Sequence, residues 1–310
     1  MARPFLLMLL FLSLLVGCIS APLSPPVEAS FTPSQPVHPS ASPALVRPVR
    51  TPTALPTPSQ SVQEPTAPPV LPASPSPQRS FQGPDEVICP ILLYHRITIP
   101  ADGSEYYVTP DEFRAQMYAL KEWGYTPIRP SDPVRAITQG AELPLRPVII
   151  SFDDGDETVY TTAYPVMREL GFIGVNYLVA NYVNTPGYMT TAQLQELASA
   201  GWEVGSHSVS HADLTQAPDV QFQVIQSRKT LETMLGVPVQ TFAYPYGQAN
   251  ERILRTVSKH YHAAMGLGSS TTQRRQNLYY LWRRPVKLGW DVNTFGSFLP
   301  WNTPPVPSQP

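Results

Sequence analysis

From Val87 onward the chain alternates short, wholly apolar runs with longer segments in which apolar residues return every three or four positions. Runs of the first kind read as buried strands, and segments of the second kind as amphipathic helices. Val87–Ile97 predicts a first strand. Thr109-Pro110-Asp111-Glu112 then carries the parts of a helix start: an N-cap threonine, proline at the first helical position and glutamate at the third. Phe113, Met117 and Leu120 follow at helical spacing, and Gly124 ends that helix. Further strands are predicted at Tyr125–Ile128, Pro147–Phe152, Ile173–Ala180, Trp202–Gly205, Thr241–Tyr244, Ala263–Leu267 and Tyr279–Val286. Helices are predicted at Val159–Leu170, Thr191–Ala200, Asp219–Leu235 and Asn250–His260, three of them closed by Gly171, Gly201 and Gly236. Such alternation, repeated six or seven times, indicates an α/β fold, either a parallel barrel or an open doubly wound sheet. In both, the loops leaving the carboxyl ends of strands carry the chemistry.

The chain before Val87 has a different texture. Phe5–Val16 is an apolar run of twelve residues broken only by Ser13 and preceded by Arg3. Spanning a bilayer takes about 20 residues, so this run is too short and reads as an export signal. Leu15-Val16-Gly17-Cys18 resembles the lipobox of bacterial lipoproteins, which implies lipidation at Cys18. An ordinary secretory signal cleaved near Ser20 or Ala21 is the alternative. Of the 38 prolines in 310 residues, 18 fall between Ile19 and Pro84, a stretch with two aromatic residues and five charged ones. It cannot bury enough apolar surface to offset chain entropy and is expected to be a disordered spacer. The expected organisation is therefore a signal at 1–18, a linker at 19–84, a catalytic domain at 85–300 and a Pro-rich tail at 301–310.

Charge narrows the choice of partners. With 21 basic and 23 acidic residues and no run of either sign, the chain has no footprint for nucleic acid. A neutral or polar partner is expected. Two cysteines, Cys18 and Cys89, are too few for a disulfide framework.

Candidate chemistry collects at predicted strand exits. Ser151-Phe152-Asp153-Asp154-Gly155 places two adjacent carboxylates where the apolar run Val148–Ile150 enters a glycine turn. Two charges there are costly unless something uses them, although aspartate and glycine are also ordinary turn residues. His207-Ser208-Val209-Ser210-His211 puts two imidazoles four residues apart just after the strand ending at Gly205. Two histidines and one carboxylate are a hydrolytic metal set that leaves positions open for water and substrate. His95 ends the first strand, Phe242-Ala243-Tyr244-Pro245-Tyr246-Gly247 forms an aromatic proline turn, and Arg283 and Arg284 close the series.

In this order and spacing, Leu93-Tyr94-His95, Ser151–Gly155, Ser206–His211 and Phe242–Gly247 resemble the polysaccharide deacetylases of the NodB-homology type, carbohydrate esterase family 4. Gly187-Tyr188-Met189-Thr190 and Gly201–Gly205 fit as well, so the resemblance covers nearly all of Val87–Leu299. It implies a distorted (β/α) barrel of about seven units. It further implies Asp154, His207 and His211 as ligands of a divalent metal, zinc first, with cobalt, nickel or manganese as alternatives. Asp153 becomes the general base, and the Tyr246 backbone N–H a donor to the oxyanion. The chain departs from the family pattern twice. No Leu-x-His motif follows Arg284, so the acid role falls to His95, as in the subgroup with a Tyr-His start that is similar to poly-N-acetylglucosamine deacetylases. Ala243 stands where the aromatic-proline motif usually has arginine, so Arg283, or else Arg284, is expected to orient Asp153.

The implied function is N-deacetylation of a polymeric amino sugar (poly-N-acetylglucosamine, peptidoglycan or a chitin-like glycan) by a monomeric enzyme of the cell envelope, lipid-anchored or secreted. Pro245, Tyr244 and Tyr246, with Trp282 and Trp290, would supply substrate contacts. O-deacetylation of xylan and a non-catalytic glycan-binding role are the alternatives.

Overall fold

The computed structural model describes residues 77–101 and 103–306. The signal segment, Cys18 and the linker as far as residue 76 lie outside the described residues. Seven parallel strands form a closed ring: β1 (Ile91–Tyr94), β2 (Pro147–Asp154), β3 (Val175–Leu178), β4 (Glu203–Ser206), β5 (Thr241–Ala243), β6 (Ala263–Leu267) and β7 (Leu281–Pro285). They neighbour one another in chain order, and β1 pairs with both β2 and β7. Thr126–Pro127 adds a short parallel segment beside the start of β2. The architecture is the distorted (β/α) barrel expected, and the open doubly wound sheet is excluded.

Strand alternation sorts the residues into two apolar clusters. On β2, Val148, Ile150 and Phe152 face the helices, while Ile149 points into the ring. The ring interior is filled by Ile91, Ile149, Val175, Tyr177, Ala243, Ala263, Met265 and Leu281. Each such large side chain taken fully out of water contributes roughly 1.5–3 kcal/mol. Period two then puts Ser151 and Asp153 on the interior side of β2, so a carboxylate lies at the inner wall of the barrel mouth.

The flanking helices are α1 (Pro110–Glu122), α2 (Ser131–Gln139), α3 (Tyr164–Glu169), α4 (Thr191–Ser199), α5 (Ser227–Leu235), α6 (Glu251–Ser258) and α7 (Val292–Gly296). At the head of α1, the Thr109 hydroxyl accepts from the Glu112 N–H and the Glu112 carboxylate accepts from the Thr109 N–H, which is the capping box its sequence calls for. Thr190 and Gln193 do the same for α4. Val134, Ala136 and Ile137 of α2 join the interior cluster and close the barrel floor.

Several elements differ from expectation. The predicted strand Val87–Ile97 is broken at Pro90, and its first part, Glu86–Ile88, pairs antiparallel with Thr272–Arg274 outside the ring. Proline has no N–H to continue a ladder, which accounts for the break. The segments ahead of α3 and α5 begin as wider turns, Val159–Ala163 and Phe222–Gln226. Folded structure also extends beyond both boundaries drawn from the sequence. Arg79–Gln82 pairs antiparallel with Ala141–Pro144, so the eight residues before Asp85 are not all linker. Past residue 300, the Trp301 N–H donates to the Tyr125 hydroxyl and Arg146 donates to the Thr303 carbonyl. Backbone pairing and docked indole, rather than composition, decide both ends. Cys89 is a buried free thiol whose pKa burial pushes up.

Candidate active site

The carboxyl ends of six barrel strands meet in one cavity of about 580 Å³, lined among others by His95, Asp153, Asp154, His207, His211, Tyr246 and Arg283. Its volume falls within the ~300–1,000 Å³ usual for small-molecule sites. Four non-glycine residues at this mouth adopt positive φ: Asp154 at 71°, Ser208 at 71°, His211 at 57° and Tyr246 at 59°. Such conformations cost about 1–3 kcal/mol each and persist where the surroundings impose them. At Asp154 the effect is direct: its backbone breaks the alternation of β2, and so the carboxylates of Asp153 and Asp154 both reach the same imidazole.

That imidazole is His207. Its Nε2 lies 3.6 Å from Asp153 Oδ2 and 3.8 Å from Asp154 Oδ1, while His211 Nε2 lies 3.5 Å from Asp154 Oδ1. These separations are too long for hydrogen bonds. The two separations from Asp154 match donors that share a cation, because ligands 2.0–2.2 Å from a tetrahedral metal sit about 3.4 Å apart. The candidate ligand atoms of Asp154, His207 and His211 all lie within 4.8 Å of one another. Asp154 Oδ1 is buried without a hydrogen-bond partner, which a bound cation would relieve. His207 Nδ1 stands 2.8 Å from the Ala243 carbonyl, so it carries the proton and leaves the Nε2 lone pair facing the cluster. The donor set therefore fits a divalent metal.

Asp153 is engaged from the other side. Arg283 Nη1 and Nη2 donate to its two carboxylate oxygens at 2.6 and 2.8 Å, and both side chains are almost fully buried. Burial alone would push the Asp153 pKa up, but Arg283, then His207, more than offset it and hold the carboxyl at about 2. Asp153 is thus an ionised carboxylate at neutral pH. Burial and the neighbouring Asp153 raise the Asp154 pKa. Burial pushes His207 down to about 4 despite the attraction of Asp153, so its imidazole is neutral. Burial also lowers the pKa of His95, against the pull of the two aspartates.

Arg283, not Arg284, reaches Asp153. Arg284 points outward, donating to the Ser269 carbonyl and lying over the Phe298 ring. Alternation along β7 separates the two neighbours, a distinction that the bare Arg-Arg dipeptide does not contain. Tyr246 is more than half exposed, and its ring meets the His211 ring edge-on at 4.6 Å. Tyr244 is not a substrate platform: its ring is buried against Tyr280, and its hydroxyl donates to the Tyr279 carbonyl. Pro245 is buried at the start of the turn that presents Tyr246. Trp282 and Trp290 do not line the cavity, and Trp290 stacks on Phe298 instead. His260 and His262 line a separate cavity of about 770 Å³ at the opposite, amino-terminal end of the strands. Arg96, Ser104, Tyr106 and Tyr107 also line the mouth, beyond the residues expected from the sequence; their signal in the sequence is a cluster of polar and aromatic residues just after a strand exit.

Comparison with known proteins agrees with this geometry. Residues 141–265 match the family model for polysaccharide deacetylase. YxkH of Bacillus subtilis (strain 168), named provisionally as a polysaccharide deacetylase, is 29% identical over 213 residues, covering 68% of this chain and 75% of its own. The poly-beta-1,6-N-acetyl-D-glucosamine N-deacetylase of Staphylococcus epidermidis is 25% identical over 170 residues, and the match spans 50% of this chain and 58% of that enzyme. The Streptococcus pyogenes deacetylase PplD, solved in complex with acetate, superposes with a TM-score of 0.64 at 26% identity, over 70% of this chain and 99% of its own. Residues 141–265 thus carry the polysaccharide deacetylase (NodB-homology) match, and the chain is similar over about two thirds of its length to polysaccharide deacetylases.

Proposed function

We propose that the domain removes N-acetyl groups from a polymeric amino sugar, with acetate and a free-amine glycan as products. The observation that carries this reading is the adjacency of two differently managed carboxylates. Asp153 is held ionised by Arg283, while Asp154 completes a donor set with His207 and His211.

A divalent cation held by Asp154, His207 and His211, zinc in the first instance, would polarise the acetyl carbonyl and acidify a water. Asp153 accepts the proton of the attacking water, and the Arg283 fork fixes the direction in which its free lone pairs point. The Tyr246 N–H donates to the oxygen on which negative charge develops. His95, on the β1 side of the mouth, gives a proton to the departing nitrogen, so that an amine rather than an amide anion leaves. The near-balance of charge suits a neutral acetylated glycan. The name of the Staphylococcus epidermidis relative favours poly-N-acetylglucosamine within that class.

The test is acetate release from N-acetylglucosamine oligomers of different linkage, by the purified zinc- or cobalt-loaded protein, with acetylated xylan as comparison. Release from the amino-sugar oligomers, lost in Asp153→Asn, is the expected result. Release only from xylan assigns O-deacetylation, and release from neither assigns glycan binding. The proposal extends to location: Leu15–Cys18 supports a lipid-anchored envelope protein, and detergent-phase partitioning that survives Cys18→Ser overturns that part.

A further inference from the structure

Two exposed tyrosines stand on the rim of the cavity, Tyr106 at 50% and Tyr246 at 58% of full exposure. The Tyr246 ring lies 4.6 Å from that of His211, and the Tyr106 ring 5.3 Å from that of His95. His95 follows β1, whereas His211 and Tyr246 follow β4 and β5, on the far side of the ring in its strand order. The two phenol rings therefore flank the mouth from opposite sides.

Tyr106 does not dangle. On one side of it, Glu105 pairs with Lys287 at 2.8 Å, and its carbonyl accepts from the Leu288 N–H. On the other, the Tyr107 hydroxyl accepts from Arg96 at 2.9 Å, and Arg96 is itself paired at 2.9 Å with the buried Asp156. Asp156 is fixed in turn by the Thr158 N–H and hydroxyl. The segment is thus anchored on both flanks of a residue whose aromatic face is left in water. Holding an apolar face out of the core forgoes its burial energy, which is recovered when a ligand covers it. A pyranose ring has an apolar C–H face of the right shape.

We propose that Tyr106 is a substrate-positioning residue that stacks on the hexosamine ring bearing the acetamide and holds it between the Tyr106 and Tyr246 walls, next to His95. This inference rests on the amino-sugar deacetylase reading above. Because stacking uses the face of the ring and not its hydroxyls, it positions the sugar irrespective of linkage.

The experiment compares wild type with Tyr106→Ala, Tyr106→Phe and Tyr106→Trp in the zinc-loaded full chain, measuring kcat and KM on N-acetylglucosamine oligomers across pH. Tyr106→Ala is expected to raise KM about tenfold, the scale of one lost aromatic contact, with kcat nearly unchanged. Phe and Trp are expected to restore the wild-type KM, and the pH profile to stay in place. An unchanged KM in Tyr106→Ala, or a loss in Tyr106→Phe equal to that of Ala, overturns the proposal. So does a fall in kcat alone with a displaced pH profile, which would mean that the ring serves His95 and not the sugar. Wild type that releases no acetate overturns the deacetylase reading and this inference together, whereas active wild type with an indifferent Tyr106→Ala overturns this inference alone.

Discussion

Arg283 on the last barrel strand grips both oxygens of Asp153 on the second, at 2.6 and 2.8 Å, across 130 residues of sequence. The ion pair is buried, and removing one partner of such a pair leaves an uncompensated charge in a poor solvent. Arg283→Ala is expected to lose about 3–5 kcal/mol of stability, measured by denaturant unfolding. Arg283→Lys keeps the charge and loses the fork. It should fold, yet with a rise in the Asp153 pKa from about 2 and a lower kcat/KM, read from the acid limb of the pH–rate profile. A wild-type profile in Arg283→Lys would remove the orienting role.

His95 and the donor set predict separable losses. His95→Ala should lower kcat by about 10²–10⁴ and leave metal stoichiometry and affinity intact, since His95 lies outside the group Asp154, His207 and His211. Calorimetric titration with zinc alongside kinetics checks both. Metal loss in His95→Ala would show that the residue had been given the wrong job.

Zinc should raise the unfolding free energy of wild type by about 2.7 kcal/mol at a hundredfold excess over Kd. Asp154→Ala and His211→Ala should abolish that gain. A chelator should remove activity reversibly. Stabilisation that persists in Asp154→Ala would place the cation elsewhere.

Acidification should destabilise the metal-free protein in two stages. The folded-state pKa of His207 is depressed from 6.5 to about 4, so as pH falls through this window the unfolded chain binds a proton that the folded one refuses. The loss is on the order of 3 kcal/mol at about 1.4 kcal/mol per unit. Asp153 continues the trend, because its pKa falls from 3.8 to about 2 on folding and the stability it confers is lost below the unfolded value. Unfolding midpoints from pH ~7 to ~3 should show the first stage, and His207→Gln should flatten it.

The amino-terminal strand offers a structural prediction. Phe81 of Arg79–Gln82 packs so closely on Gly140, itself at φ 76°, that a Cβ there would lie 2.4 Å from the ring. A chain starting at Asp85 should unfold several degrees lower than one starting at Pro77, by roughly the 1–2 kcal/mol worth of burying one aromatic side chain in part. Gly140→Ala should reproduce much of that loss.

What could be read from the sequence divides along physical lines. The Thr109 capping box, the apolar run ahead of Asp153-Asp154 and the spacing of His207 and His211 are local signals, and the helix start, strand exit and clustered imidazoles they indicate are all present. Helix α2 went unread because Pro130 and Pro133 suggest a loop, although proline is tolerated in a first helical turn. The strand Arg79–Gln82 has no periodic pattern that composition could reveal; its paired residues lie 59 to 65 positions away. The same limit governs the site. The Asp-Asp-Gly turn is visible in sequence, whereas the inward Arg283 and outward Arg284, or the buried Tyr244 and open Tyr246, depend on strand phase and a left-handed residue at Tyr246.

The order of the ring has a consequence for how a chain made from its amino terminus acquires competence. β1 through β6 can pair as they emerge, but β1 and β6 each keep an open edge until Leu281–Pro285 inserts between them. That same insertion delivers Arg283 to Asp153. Before it, the inner carboxylate has no counter-ion in the barrel, and two exposed edges invite pairing with other chains. Closure of the last seam therefore completes the hydrogen-bond ladder and supplies the base with its counter-ion in one event, and a chain ending before β7 would lack both.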